Sequence, residues 1–198
     1  MVGQAQANVA FHRAFAGPLA PLPRPLCGEA GDAGCCLTLR ELADRDLMAE
    51  VLERFAPVYP GGDRRAVASM WSKWFFGAVL PAITGLLLGE GRACASDDAS
   101  VGVALDEAGY PRRLWLREAG DLVAPATVAA GLETLVGERF SPIVEALAGA
   151  SGASRNVFWS NAGNTLEYLI GEMARHPAIT PATLQDAYGF LDSRRLAD

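Results

Sequence analysis

Apolar and polar positions recur with two different periods along this chain, and the change of period divides it. Leu42, Leu47, Val51, Leu52 and Phe55 return at roughly helical spacing, behind Thr38 with Glu41 three residues on, and the run ends before Pro57 and Pro60. Ser/Thr followed three residues later by Glu forms a capping box, so one helix is expected to open at Thr38. Gly61-Gly62-Asp63 marks a second start, with Asp63 placed to accept free backbone amides, and the helix it opens runs to about Pro81 with apolar residues continuing from Ile83 to Leu88. The period then shortens. Val101, Val103 and Leu105 alternate with smaller residues, and after a loop over Asp106 to Pro111, Leu114 and Leu116 alternate with Arg113, Trp115 and Arg117. Period two on both sides of a turn reads as a β-hairpin. Helical spacing returns from Thr127 to Leu147, with a break expected near Pro142, and again from Ser154 to Arg175, where His176-Pro177 stops it. A last helix should begin at Thr180-Pro181, since proline suits a first turn, and reach about Leu191. The fold class expected is α+β: a mostly helical single domain with one small antiparallel β-hairpin or sheet.

The N-terminal stretch is different. From Gly3 to Cys36 it is rich in Ala, Pro and Gly, with Pro18, Pro21, Pro23 and Pro25 close together, so helix propagation is blocked repeatedly and an extended arm over the surface is expected. The division that follows is an arm over residues 1–37 and a helical domain over 38–198.

Composition narrows the partners. The chain has 198 residues, 51% of them hydrophobic, enough for one ordinary core. Its formal net charge of -6 and pI near 5.0 lack the concentrated basic surface that nucleic acid requires. The most hydrophobic window, Trp74 to Leu88, contains Pro81 and falls short of the roughly 20 residues that cross a bilayer, so a buried helix rather than stable membrane insertion is expected. Residues 1–20 show no charged start and no continuous apolar block, so no secretory signal is read there. With four cysteines, Cys27, Cys35, Cys36 and Cys94, and no export signal, reduced thiols in a cytoplasmic protein are expected.

Two segments carry candidate chemistry. In the first, Ser69, Lys73 and Gly77 fall on one helical face, while Trp71, Trp74, Phe75 and Val79 cover the others. A buried helix with Lys73 reaching to solvent accounts for this mixture; so does a pocket wall on which aromatic surface meets a ligand and Lys73 supplies a charged donor. In the second, Asn161, Asn164 and Tyr168 share a flank beside the apolar stripe Phe158, Ala162, Leu166, Leu169 and Met173. Two asparagines and Gly163 cost helix propensity, which bonding to a neighbouring element or contact with a polar ligand would offset. His12 and His176 are the only histidines and stand far apart, which leaves no multi-histidine metal site or histidine-based triad. Glu133, Glu138, Glu145 and Glu167 read as solvated helix faces.

Ser69, Trp71, Lys73, Phe76 and Gly77, followed by Trp159, Asn161 and Asn164, form a pair of motifs that resembles the signature of the FhuF-like ferric siderophore reductase family, across roughly Val51 to Leu191. The resemblance implies a cytoplasmic protein of siderophore iron uptake that binds a ferric siderophore and releases iron by reduction to Fe(II), with an electron donor protein as partner. It also implies substrate contact through Trp71, Lys73, Trp74, Trp159, Asn161 and Asn164. A related helical domain occurs in synthetases that assemble hydroxamate siderophores, so a non-enzymatic siderophore-binding or siderophore-biosynthesis accessory role is the alternative. Family reductases carry a [2Fe-2S] cluster near the C-terminus, on two adjacent cysteines and a Cys-x-x-Cys pair; here no cysteine follows Cys94. Three readings stay open: a piece of a longer reductase, a variant kept for binding or another non-redox task, or a cluster on Cys27, Cys35, Cys36 and Cys94, the number of thiolates such a centre needs. Oxidoreductase activity is expected only where a cysteine tail or a substitute supplies the electron.

Overall fold

The structure, a computed structural model, describes residues 9–28, 35–94, 99–116 and 122–193. Its axis is α4 (Arg64–Glu90), 27 residues long. Asp63 starts it, its carboxylate accepting from the Ala66 amide at 2.8 Å, and Gly91 ends it in the left-handed region at φ 61°. Trp71, Phe75, Phe76 and Val79 on this helix are fully buried, because other elements cover it on most sides. By length and composition α4 could cross a membrane; two thirds of its apolar window lies inside the fold, which marks it as a core helix. Pro81 sits within it, and the amide that proline lacks leaves the carbonyl of Gly77 without its helical donor on the exposed side.

Helix α7 (Arg155–Met173) packs along α4. Asn161 of α7 meets the early turns of α4, and Met173 and His176 lie by Gly89 near its end, so the two helices run parallel. Around them stand α3 (Arg45–Phe55), α5 (Val128–Thr134), α6 (Ser141–Ser151) and α8 (Pro181–Asp192), with Phe140 set edge-on against Phe75 and Phe76 in the core.

The sheet has the order β1-β5-β4-β2, with β1 (Leu26–Cys27), β2 (Cys35–Thr38), β4 (Val101–Leu105) and β5 (Pro111–Leu116). The expected hairpin is β4–β5, antiparallel, with Val103 opposite Leu114; β2 adds antiparallel to β4 and β1 parallel to β5. Every residue of β4 is buried, which is why its sequence alternates only weakly: both faces are covered. Gly102 stands opposite both Thr38 and Trp115. A separate pair joins β3 (Ala93–Cys94) to β6 (Leu122–Val123).

Three expectations change. The proline-rich segment is not an extended surface arm throughout. Residues 9–14 are helical (α1), and Phe11, Ala14, Phe15 and Leu19 are buried against the core, so the apolar spacing ahead of Pro18 prevails over the proline content behind it. The capping box at Thr38 and Glu41 forms but opens only the single turn α2 (Leu39–Leu42); Asp44 then accepts from the amides of Asp46 and Leu47 and starts α3 afresh. Between α5 and α6 the break falls at a π-helical stretch, Leu135–Phe140, while Pro142 is accommodated in the first turn of α6, where its missing amide costs nothing.

Candidate functional site

The two signature segments meet at the α4–α7 contact. Asn161 donates its amide Nδ2 to the carbonyl of Ser69 at 2.9 Å and to Ser72 Oγ at 2.8 Å; Ser72 Oγ in turn donates to the same Ser69 carbonyl at 2.8 Å. A helix carbonyl accepting two extra donors and an asparagine serving a neighbouring helix account for the polar residues that lower helix propensity here. Ser72, fully buried, is the partner that the spacing left unmarked.

Trp71 lies in the core, and its indole donates to the carbonyl of Gly109 at 3.0 Å, tying α4 to the tip of the hairpin. That tip is shaped by Asp106, whose Oδ1 accepts from the amides of Ala108 and Tyr110 and whose Oδ2 accepts two bonds from Arg112. Burial pushes the Asp106 carboxyl up, but these amides and the Arg112 guanidinium outweigh it and hold the group below its ordinary value. Trp71→Phe removes the donor and leaves the Gly109 carbonyl unpaired beside the ring. A loss of about 1–3 kcal/mol is expected in urea unfolding, and an unchanged midpoint would show that the bond contributes nothing.

Lys73 and Trp74 follow on the exposed side of α4, one hundred degrees apart on the helix. Lys73 is the only lysine in the chain. Trp74 is 38% exposed yet held: its indole donates to the Tyr59 hydroxyl at 3.0 Å, and its ring stands 5.1 Å from that of Tyr110, over which Arg112 lies at 4.5 Å. Gly77, one turn on from Lys73, is exposed, and a side chain there would meet nothing within 4 Å. On α7, Asn164 is exposed and Tyr168 is 64% exposed, on the flank they share with Asn161. Trp159, two residues before Asn161, points about 200° away around the helix and packs half-buried against the core.

Asn161 is therefore joined directly to the α4 segment. Lys73, Trp74 and Asn164 lie at the surface beside that joint, Trp71 lies beneath it, and Trp159 is on the other flank of α7. None of the six lines the cavity of about 460 Å³ that lies between α4, the strands and α5. Tyr59, Tyr110 and Arg112, which fix the orientation of Trp74, carried no sequence signal, because the bonds that join them to it span loops.

The sheet order separates the early cysteines. Cys27 is on β1 at one edge and Cys35 and Cys36 on β2 at the other, with β5 and β4 between, roughly 14 Å at ordinary strand spacing. Burial pushes the Cys27 thiol up, and burial with the neighbouring Cys35 does so for Cys36, against the thiolate form that binds metal. Cys94 stands on β3, in the other sheet. The described cysteines thus do not fit a [2Fe-2S] centre, and among the described residues no three candidate metal ligands gather.

Fold and joint together define a helical α+β domain organised on two parallel helices that carry paired motifs. The sequence profile described as ferric iron reductase FhuF-like transporter matches residues 69–196, from the first signature serine to within the C-terminal residues, and the chain belongs to that FhuF-like family. A ferric siderophore reductase of Escherichia coli strain K12 is 24% identical over 112 residues, which is 56% of this chain and 43% of that protein. Among solved structures, aerobactin synthetase IucA from a hypervirulent Klebsiella pneumoniae superposes with a TM-score of 0.67 at 12% identity, covering 95% of this chain and 44% of that one. Aerobactin synthetase IucC from the same source gives 0.59 at 14% identity, covering 88% of this chain and 33% of that one. The two synthetases share the fold, and the chain spans less than half the length of each of these proteins.

Proposed function

We propose that this domain handles ferric siderophores in the cytoplasm as a siderophore-iron reductase-like protein. The observation that carries the reading is the family match over residues 69–196, whose two signature segments are bonded to each other through Asn161, Ser69 and Ser72. Fe(III) is a hard cation held by hydroxamate, catecholate or carboxylate oxygens, and one added electron gives Fe(II), which those oxygens hold less tightly. Under this reading the electron comes from a partner protein or from a group outside the described residues. Lys73 and Asn164 offer donors to the ligand's oxygens, the fixed face of Trp74 supplies apolar contact, and Trp71 and Asn161 hold the segments in place while Trp159 anchors α7.

The test is a titration of tryptophan fluorescence with a ferric trihydroxamate and a ferric catecholate, each against its iron-free form. Saturable quenching by at least one ferric complex is expected, with Lys73→Ala and Asn164→Ala each weakening it about tenfold. No saturable change up to about 1 mM, a concentration worth only about 4 kcal/mol of binding, would overturn the reading.

A second reading, a siderophore-binding or siderophore-assembly accessory domain without redox chemistry, is compatible with the fold shared with the synthetases across 95% of the chain. The same titration separates the two. Preference for the ferric complex favours release of iron, and equal or better binding of the iron-free siderophore favours assembly.

A further inference from the structure

The cavity of about 460 Å³ falls within the range of small-molecule sites, roughly 300–1,000 Å³. Its walls are Ile83 and Leu87 of α4, Ala93, Val101, Leu114 and Val123 of four strands, and Pro125, Gly131 and Leu135 beyond them. Among the described residues, the polar groups come from one wall: Thr134, Glu138 and Arg139. Those residues with Leu135 stand at i, i+1, i+4 and i+5, one face of the helical run, while Leu132, Val136 and Phe140 turn to the core. The π-helical stretch Leu135–Phe140 forms part of this wall, and such widened turns recur at binding sites.

The charges on the polar wall are unequal in their engagement. Arg139 already has a partner. Glu138 is exposed and has no ion pair or hydrogen bond with any described residue. Val123, 45% exposed, lines the cavity from strand β6. An apolar chamber with one open carboxylate at its edge complements a molecule of matching polarity, with a hydrocarbon body and a single cationic, hydrogen-donating end.

We propose that this cavity binds an aliphatic primary amine, with the hydrocarbon chain between α4 and the strands and the ammonium group against Glu138. The site shares no residue with the α4–α7 joint, so it stands or falls apart from siderophore handling.

The probes are n-octylamine, octanoate and 1-octanol, with methylamine as the chainless control, titrated calorimetrically into the full chain below their aggregation limits. Octylamine should bind saturably at one site, at least about tenfold tighter than octanoate, and methylamine should not bind. Glu138→Gln should bring octylamine and octanol to similar affinities, and Val123→Trp, at an exposed position that tolerates bulk, should weaken all eight-carbon probes. The proposal is overturned if octylamine does not saturate, if octanoate binds as tightly, if methylamine matches octylamine, or if neither variant changes binding while circular dichroism shows both folded.

Discussion

Gly102→Ala is expected to destabilise the protein by at least about 3 kcal/mol, because a methyl group there would meet neighbouring backbone more closely than at Gly85 or Gly131. A Cβ on Gly102 would stand 2.1 Å from the carbonyl oxygen of Leu37 and 2.8 Å from the Cα of Thr38, both backbone atoms of the neighbouring strand. No rotamer relieves that contact, so β2 must move away from β4. Moving β2 displaces Thr38, whose hydroxyl and amide bond the Glu41 carboxylate and open α2. For a chain of this size the loss corresponds to a fall in Tm of about 6–12 °C, measurable by calorimetry. A Tm within 2 °C of the wild type would mean that the two strands are not so close in solution.

Asn161→Asp should have the next largest effect, roughly 2–4 kcal/mol, although it changes only an amide into a carboxylate of the same shape. Two donated bonds, to the Ser69 carbonyl and to Ser72 Oγ, are lost, and a half-buried negative charge then faces the carbonyl that it formerly served. The Ser72 hydroxyl can turn towards the new carboxylate only by abandoning Ser69. Asn164→Asp, three residues on and exposed, should change stability by less than about 0.5 kcal/mol. Urea midpoints of the two variants decide the matter; equal midpoints would remove Asn161 from its place as the bolt between α4 and α7.

Much of the architecture was legible because its signals are local. Asp63 caps the helix that its side chain predicts, the helices expected from Ser154 and from Thr180-Pro181 start there, and the turn of the predicted hairpin falls within Asp106 to Pro111. Long-range facts were less so. That Phe11, Phe15 and Leu19 would be drawn into the core depends on the surfaces of α4 and α7, which no nearby spacing encodes; Leu19 and Ala14 close on Gly85 from some seventy residues away. The restart at Asp44 was masked by an apolar rhythm that runs through it.

The paired motifs were visible as odd composition, and the structure divides them into residues that hold the joint and residues beside it. Sequence could not make that division, since Trp71 and Trp74 are three apart and differ only in what the rest of the chain places over them. Trp71 is covered by the hairpin, whereas Trp74 is left partly open with its edge held by Tyr59. The cavity was equally invisible, being assembled from single residues of elements far apart in the chain.

Because Lys73 is the only lysine and lies exposed on α4, this protein offers a single side-chain target to amine-directed reagents. An acylating dye would attach there and otherwise only at the chain's α-amino group, so one mild labelling step places a reporter beside the α4–α7 joint without any engineered cysteine. The same scarcity gives an endoproteinase that cuts after lysine one scissile point, within the N-terminal half of the central helix, where cleavage requires that helix to unwind. Digestion rate would then read the opening of the core directly.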